Sequence, residues 1–279
     1  MRDEPTALSR EAWDASAAGW EAQRERMWAG SAPIGEAMVA ALDPQPGETV
    51  LELAAGPGDT GFTAALLLGP GGLLISSDFA PEMVDAARRR GSELGLENFD
   101  YRGLDAQTLD LPDASVDGVL CRWGYMLMPD PLRALRETRR VLRPGGRLAF
   151  AVWGQPDRNR WATTIGRTLL ALGLSEPPDP SAPGMFVLAD PGRLTELVES
   201  AGFGRPEITE AEVTWRYDSF EDYLGVVTRL SGDTRARLEA LDGATHSKVL
   251  ELAREALEPY ADGNGYAIGG VSLVVTANS

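Results

Sequence analysis

A chain of 279 residues with 43% hydrophobic and 24% charged side chains has room for one large α/β domain with additions, or two small domains, around a sizeable core. Its net charge of −16 argues against nucleic acid as a partner, and the arginines at 88–90 and at 136, 139 and 140 fall in helical patterns that read as solvated faces. The single cysteine, Cys121, excludes an internal disulfide and a cysteine metal cluster, and without an apolar leader or a run of membrane-spanning length a cytoplasmic protein with no membrane partner is expected.

Residues 8–42 read as helical: Leu8, Trp13, Ala17 and Trp20 share a rough face, and Ile34, Met38 and Leu42 share one after Pro33. A proline-containing turn at 43–47 leads into a short apolar strand at 49–54, a glycine-rich turn at 56–61 and a helix at 62–68. A second strand at 73–77 and a helix at 81–94 follow, with proline in the first helical position where its missing N–H costs little. Strands at 99–102 and 116–121, a helix at 131–142, the turn Arg143-Pro144-Gly145-Gly146 and a strand at 147–153 complete the alternation. That rhythm specifies a mostly parallel sheet with helices on both faces. Beyond it the pattern reads as a helix at 161–172, a proline-rich loop or lid at 175–184, a helix at 191–201, a strand at 207–217, helices at 220–230 and 246–257, and a last strand at 266–276. The helices between the final two strands are long enough to form a cap.

The strongest chemical signal is Val50-Leu51-Glu52-Leu53-Ala54-Ala55-Gly56-Pro57-Gly58-Asp59-Thr60-Gly61. A buried strand turns through glycines that let the backbone approach a ligand closely, or that simply make a tight turn. Asp78, twenty residues past Gly58, ends the second strand, where a carboxylate can accept both hydroxyls of a ribose, or cap the following helix. Gly56, Gly58 and Gly61 also spell the dinucleotide pattern G-x-G-x-x-G. A pyrophosphate, however, wants free amides and no anion at the helix start, whereas Pro57 removes a donor, Asp59 adds a charge and Glu52 puts a carboxylate in the first strand, close to the turn. A cationic ligand without phosphate suits these features better.

Residues 48–153 resemble the core of class I S-adenosylmethionine-dependent methyltransferases, of the kind that includes ubiquinone and menaquinone biosynthesis enzymes. Four motifs carry the resemblance, in order and at the expected spacing: Glu52 to Gly58, Asp78-Phe79-Ala80-Pro81-Glu82-Met83, Asp105-Ala106, and Leu142 to Gly146. Ala54 departs from it, standing where the family usually has its first glycine. The resemblance implies an α/β Rossmann-like, seven-stranded, mostly parallel sheet with an antiparallel last strand, a helical amino-terminal lid (1–47), a cofactor-binding core (48–157) and a remainder (158–279) that carries the substrate cap. It implies S-adenosyl-L-methionine as cofactor. Glu52, Ala54, Gly56 and Gly58 would surround its methionine and ribose, Asp78 the ribose hydroxyls, Phe79 and Met83 the adenine, with Asp105 and the Ala106 amide reading the adenine edge. Asp100 and Asp110 stand near enough to compete with Asp105. Cys121 and Arg122 would lie beside the methionine carboxylate and ammonium.

Trp13 and Trp20, two helical turns apart, pack on the sheet or close over the cofactor, where the Trp20 face would stabilise the sulfonium. Trp123 and Tyr125 follow the fourth strand at the carboxyl edge, where such sheets place ligands. Methyl transfer from a sulfonium needs an aligned nucleophile and little else. If a base is used, His246, the sole histidine, is a candidate, against the simpler reading of a surface side chain. Tyr125 is expected to position a hydroxyl acceptor. Cys121-Arg122-Trp123-Gly124 differs from the Asn-Pro-Pro-aromatic run of amide and amino-purine methylases, one cysteine disfavours arsenic chemistry, and no acidic set reads as a magnesium site. The aromatic residues of 158–190 and 213–260 fit a hydrophobic or aromatic small-molecule substrate. A nicotinamide-dependent oxidoreductase and a non-catalytic cofactor-binding protein on the same fold are the competing readings, and a homodimer through the added helices is compatible with either.

Overall fold

The computed structural model describes residues 4–177, 179 and 182–279, and in the first helix the side chains of residues 10, 13, 14 and those from 19 onward. The expected faces of Leu8 and Ala17, and residues 178, 180 and 181 of the proline-rich loop, lie outside the described residues.

The sheet is built on short apolar runs. β1 (Thr49–Leu53), β2 (Leu73–Asp78), β3 (Phe99–Gly103), β4 (Val116–Arg122) and β5 (Leu142–Trp153) are mutually parallel where they pair. β6 (Glu207–Tyr217) and β8 (Gly265–Asn278) complete the order β3-β2-β1-β4-β5-β8-β6, with β8 antiparallel to both neighbours. β1 and β4 are covered on both faces, which is why they read as continuous apolar runs with no alternation. The seven expected strands are present. The eighth, β7 (Ala261–Asp262), pairs only with β8, and two residues carry too little pattern to be read. β5 begins five residues earlier than expected, because Leu142 already pairs with Val116 before a register shift admits the Pro144–Gly146 turn.

Of the helices, α2 (Asp59–Leu68), α3 (Pro81–Glu93), α4 (Pro131–Val141), α5 (Arg160–Ala171), α6 (Pro191–Ser200), α7 (Phe220–Leu230) and α9 (Gly243–Leu257) match the expected segments within a few residues. α1 runs unbroken from Glu4 to Leu42 with Pro33 inside it. The cost of an interior proline is offset by burial, since Ile34, Met38 and Leu42 are completely enclosed. Leu42 lies over Gly118 of β4, and its carbonyl accepts from Arg147 Nε at 2.7 Å. α8 (Gly232–Glu239) was not expected: it starts on glycine and buries only Leu238, so no apolar stripe announces it.

Candidate functional site

Parallel α/β sheets leave a crevice beyond the carboxyl ends of their strands where connections diverge. Here β2 and β4 flank β1, and a cavity of about 390 Å³ opens above the three strand ends, within the usual range for small-molecule sites. Among the sequence-nominated residues, Trp20, Ala54, Gly56, Asp78, Phe79, Met83, Asp105, Ala106, Arg122 and Trp123 all line it.

At one end β1 turns upward. Ala54 at φ 50° and Gly56 at φ 53° both adopt the left-handed conformation, and no heavy atom approaches within 4 Å of where a Gly56 side chain would begin. The turn is tied to β2: Ala55 N donates to Ser77 O at 2.9 Å, and Gly56 N to Asp78 Oδ2 at 3.0 Å. Asp78 Oδ1 accepts from Ala80 N at 3.0 Å. The carboxylate thus braces the start of α3 and also faces the cavity. Burial raises its pKa, against the opposing effect of these amides. Asp105 Oδ1 accepts from Gln107 N at 2.8 Å, which fixes its side chain on the wall.

The amino-terminal helix covers this end. Trp13 and Trp20 sit 6.2 Å apart, centroid to centroid, and pack with Phe79 against Ala80 and Met83. The Trp20 indole N–H is enclosed without a hydrogen-bond partner, a donor whose desolvation nothing in the protein repays.

Arg122, at the end of β4, is half-buried among three elements. Its Nε donates to Thr60 Oγ1 at 2.8 Å and its Nη1 to Ser31 Oγ at 3.1 Å, while its guanidinium lies 4.7 Å from the Trp123 ring centroid. Burial lowers its pKa, opposed by Glu52 and Asp59. Trp123 has φ 60°, a conformation bulky residues adopt only when their surroundings over-determine it. Its Nε1 donates to Ser272 Oγ at 2.9 Å and its ring stacks on Trp153 at 4.2 Å. Beyond it the wall continues through Trp161, Met185, Val227 and Leu230.

Five nominated residues do not reach the wall. Glu52 lies under the turn, where Oε1 accepts from Gly61 N at 2.9 Å; burial pushes its pKa up to about 8. Gly58 is left-handed and pressed against the Phe62 ring, so its role is to make room for that ring. Cys121 is enclosed, with burial pushing its thiol up to about 12. The hydroxyl of Tyr125 is buried 2.7 Å from Thr138 Oγ1, because the turn after β4 carries the ring back toward α4, so it cannot position an acceptor. His246 sits in the first turns of α9, away from the cavity lining, and is not placed to act as a base.

Sequence reasoning missed several wall residues. Met27 continues the Trp13–Trp20 helix two turns on; Gln107 follows Asp105; Ser231 and Thr234 sit at the start of α8. The Ser-x-x-Thr spacing of a helix N-cap was the available signal for the last pair.

The glycine turn is poorly equipped for a pyrophosphate. Gly58 N is spent on Ala55 O and Gly61 N on Glu52, and Asp59 in the first turn of α2 pairs with Arg24 at 3.0 Å. An adenosyl group on a zwitterionic amino acid fits better: Asp78 and Asp105 face the nucleoside end, the open Gly56 turn admits a close approach, and Arg122 offers a guanidinium for a carboxylate.

Residues 53–150 match the family model described as a methyltransferase domain. The chain is 41% identical over 106 residues to an arsenite methyltransferase of Halobacterium salinarum, covering 38% of this chain and 27% of that protein. It is 36% identical over 118 residues to the aklanonic acid methyltransferase DauC of a Streptomyces species, covering 42% and 54%. It is 36% identical over 129 residues to the ubiquinone/menaquinone biosynthesis C-methyltransferase UbiE of a Caulobacter species, covering 43% and 50%. The matches therefore span about half the length of these relatives or less. Among solved structures, the YcgJ protein of Bacillus subtilis superposes with a TM-score of 0.58 at 19% identity over 88% of this chain and 97% of that one, a likeness of fold.

Proposed function

We propose, from the premise that the chain carries a class I S-adenosylmethionine-dependent methyltransferase domain, that it transfers the methyl group of S-adenosylmethionine to a hydrophobic or aromatic small molecule. The observation that carries this reading is the continuous cavity running from Asp78 to Trp161, with the carboxylates of Asp78 and Asp105 toward one end and the indoles of Trp153 and Trp161 toward the other. A donor and an acceptor laid end to end in it would meet beside Gly124 and Trp123, at the tip of β4.

Bound S-adenosylmethionine supplies an activated methyl group on a cationic sulfur. The protein's part is orientation and the exclusion of water. Asp78 accepts from the ribose hydroxyls. Phe79 and Met83 flank the base, and Asp105 and the Ala106 amide read its edge. Arg122, held by Thr60 and Ser31, pairs with the methionine carboxylate. Trp20 closes the enclosure and donates its spare indole N–H to the ligand. Glu52 and Gly58 act one step back, by fixing the turn. The indoles beyond Trp123 present flat apolar faces to the acceptor.

Titration calorimetry with S-adenosylhomocysteine and with NAD tests the reading directly. Saturable binding of the former and none of the latter is expected. Tight NAD binding without S-adenosylhomocysteine binding would overturn it in favour of an oxidoreductase.

A further inference from the structure

We propose that the acceptor enters this cavity already ionised at its nucleophilic atom, as a phenolate or enolate on a flat aromatic frame; the proposal rests on the methyl-transfer reading above. Beyond Trp123 the wall consists of indoles, thioethers and aliphatic chains. The hydroxyls there, Ser231 and Thr234, are engaged with each other: their oxygens lie 2.9 Å apart, and Ser231 Oγ also accepts from Thr234 N at 3.2 Å. Aliphatic hydroxyls are not bases near neutral pH. The ionisable side chains on the described wall are Asp78, Asp105 and Arg122. Both carboxylates belong to the nucleoside end and are tied to backbone amides of Gly56, Ala80 and Gln107. Arg122 keeps its proton under all ordinary conditions. Among the described residues, then, an acceptor proton has no side chain at the reacting end to receive it.

The charges point the same way. The half-buried Arg122 guanidinium, bonded to two hydroxyls and stacked on Trp123, is taken up by the donor's carboxylate, so the charge left at the reacting end is the donor's sulfonium. In an enclosure of low polarity an anion is drawn to that cation far more strongly than in water, whereas a neutral amine would become a second cation beside it. With an ionised acceptor the step balances without a base. The acceptor's lone pair forms the bond to the methyl carbon, the carbon–sulfur bond breaks with its electron pair left on sulfur, and sulfonium and anion both become neutral. No proton moves inside the cavity.

The test compares two naphthoquinones of one shape by titration calorimetry on the full chain at pH 7.5. One is 2-hydroxy-1,4-naphthoquinone, an anion at that pH; the other is 2-methyl-1,4-naphthoquinone, which is neutral. The protein is loaded either with sinefungin, which carries an ammonium in place of the sulfonium, or with S-adenosylhomocysteine, whose sulfur is neutral. The hydroxy compound is expected to bind the sinefungin complex at least about tenfold more tightly than the methyl compound, with the preference shrinking in the S-adenosylhomocysteine complex. Equal or tighter binding of the neutral compound overturns the proposal, as does no saturable binding of the anion to the sinefungin complex. Failure of the protein to bind either sinefungin or S-adenosylhomocysteine would sink the methyl-transfer reading itself, and so is told apart from failure of this one.

Discussion

The side chain of Ala54 and the bare α-carbon of Gly124 face each other across the tips of β1 and β4: a Cβ on Gly124 would stand 2.7 Å from Ala54 Cβ and 2.6 Å from Cys121 Sγ. Ala54 holds a left-handed conformation, φ 50°, that costs an L-residue about 1–2 kcal/mol relative to glycine. The methyl group that departs from the family's glycine is accommodated because the opposite strand has none.

Two substitutions read this relationship separately. Ala54→Gly relieves the backbone but adds freedom to the unfolded chain, so a net gain within about 1 kcal/mol is expected, with S-adenosylhomocysteine binding retained. Gly124→Ala forces overpacking and should cost about 1–3 kcal/mol. In the double variant part of that loss returns, because one of the two clashing atoms is gone while Cys121 Sγ remains. Urea denaturation of the four proteins gives the coupling energy; strictly additive effects would show that Ala54 and Gly124 do not share this space.

Asp78→Asn places an amide donor against at least one of the Gly56 and Ala80 amides that now donate to the carboxylate. A stability loss of about 1–3 kcal/mol follows from the unmet backbone donor. S-adenosylhomocysteine affinity should fall by about tenfold or more as a charged acceptor is lost. Calorimetry alongside thermal melts separates the two. A variant that is destabilised yet binds with unchanged affinity would reduce Asp78 to a brace for α3.

The turn after β1 and its brace from β2 were legible because their parts are local: one peptide, 50–61, carries strand, turn and helix start, and Asp78 lies at a spacing that a βαβ unit fixes. The mostly parallel sheet with helices on both faces followed from the alternation of apolar runs and helices. What escaped depended on tertiary packing. Nothing local marks Tyr125 as folding back onto Thr138, and the sequence neighbourhood of Glu52 and Gly58 could not show that Glu52 lies under the turn and that Gly58 faces the Phe62 ring and not the cavity.

Trp20→Phe keeps an aromatic face and removes the enclosed N–H together with the second ring of the indole. In the free protein the loss of an unsatisfied donor offsets part of the packing lost with that ring. If that N–H donates to the bound nucleoside amino acid, S-adenosylhomocysteine binding weakens by a factor of about 2–12, the value of one hydrogen bond. Unchanged affinity would leave Trp20 as packing against Met83 alone.

Met185→Ala enlarges the apolar end without touching the nucleoside end. The KM for an aromatic acceptor should rise with little change in kcat, since the contact is equal in ground and transition states, and the Kd for S-adenosylhomocysteine should stay within twofold of the parent. Loss of S-adenosylhomocysteine binding would mean that the two ends had been assigned the wrong way round.

Glu52 makes the stability of the unliganded protein depend on pH. Its carboxyl is held at about 8 in the folded chain, first by burial, against an ordinary value of 4.5. A raised carboxyl binds its proton more tightly when folded, so its contribution is complete below about pH 4.5 and is lost as pH rises toward 8. The slope is at most ~1.4 kcal/mol per pH unit. Asp78, raised by burial as well, has the same sign, while Asp117, Glu137 and Asp222 are lowered and titrate below this window. Glu52→Gln keeps a carbonyl oxygen for the Gly61 amide and cannot ionise. Relative to the parent it should therefore gain stability steadily between pH 5 and pH 8, whatever fixed cost its new N–H group brings where Oε2 has no partner. Urea midpoints across that range measure the difference. A constant offset between the two proteins would show that Glu52 ionises in the folded chain as it does in water, with Arg122 near enough to hold the charge.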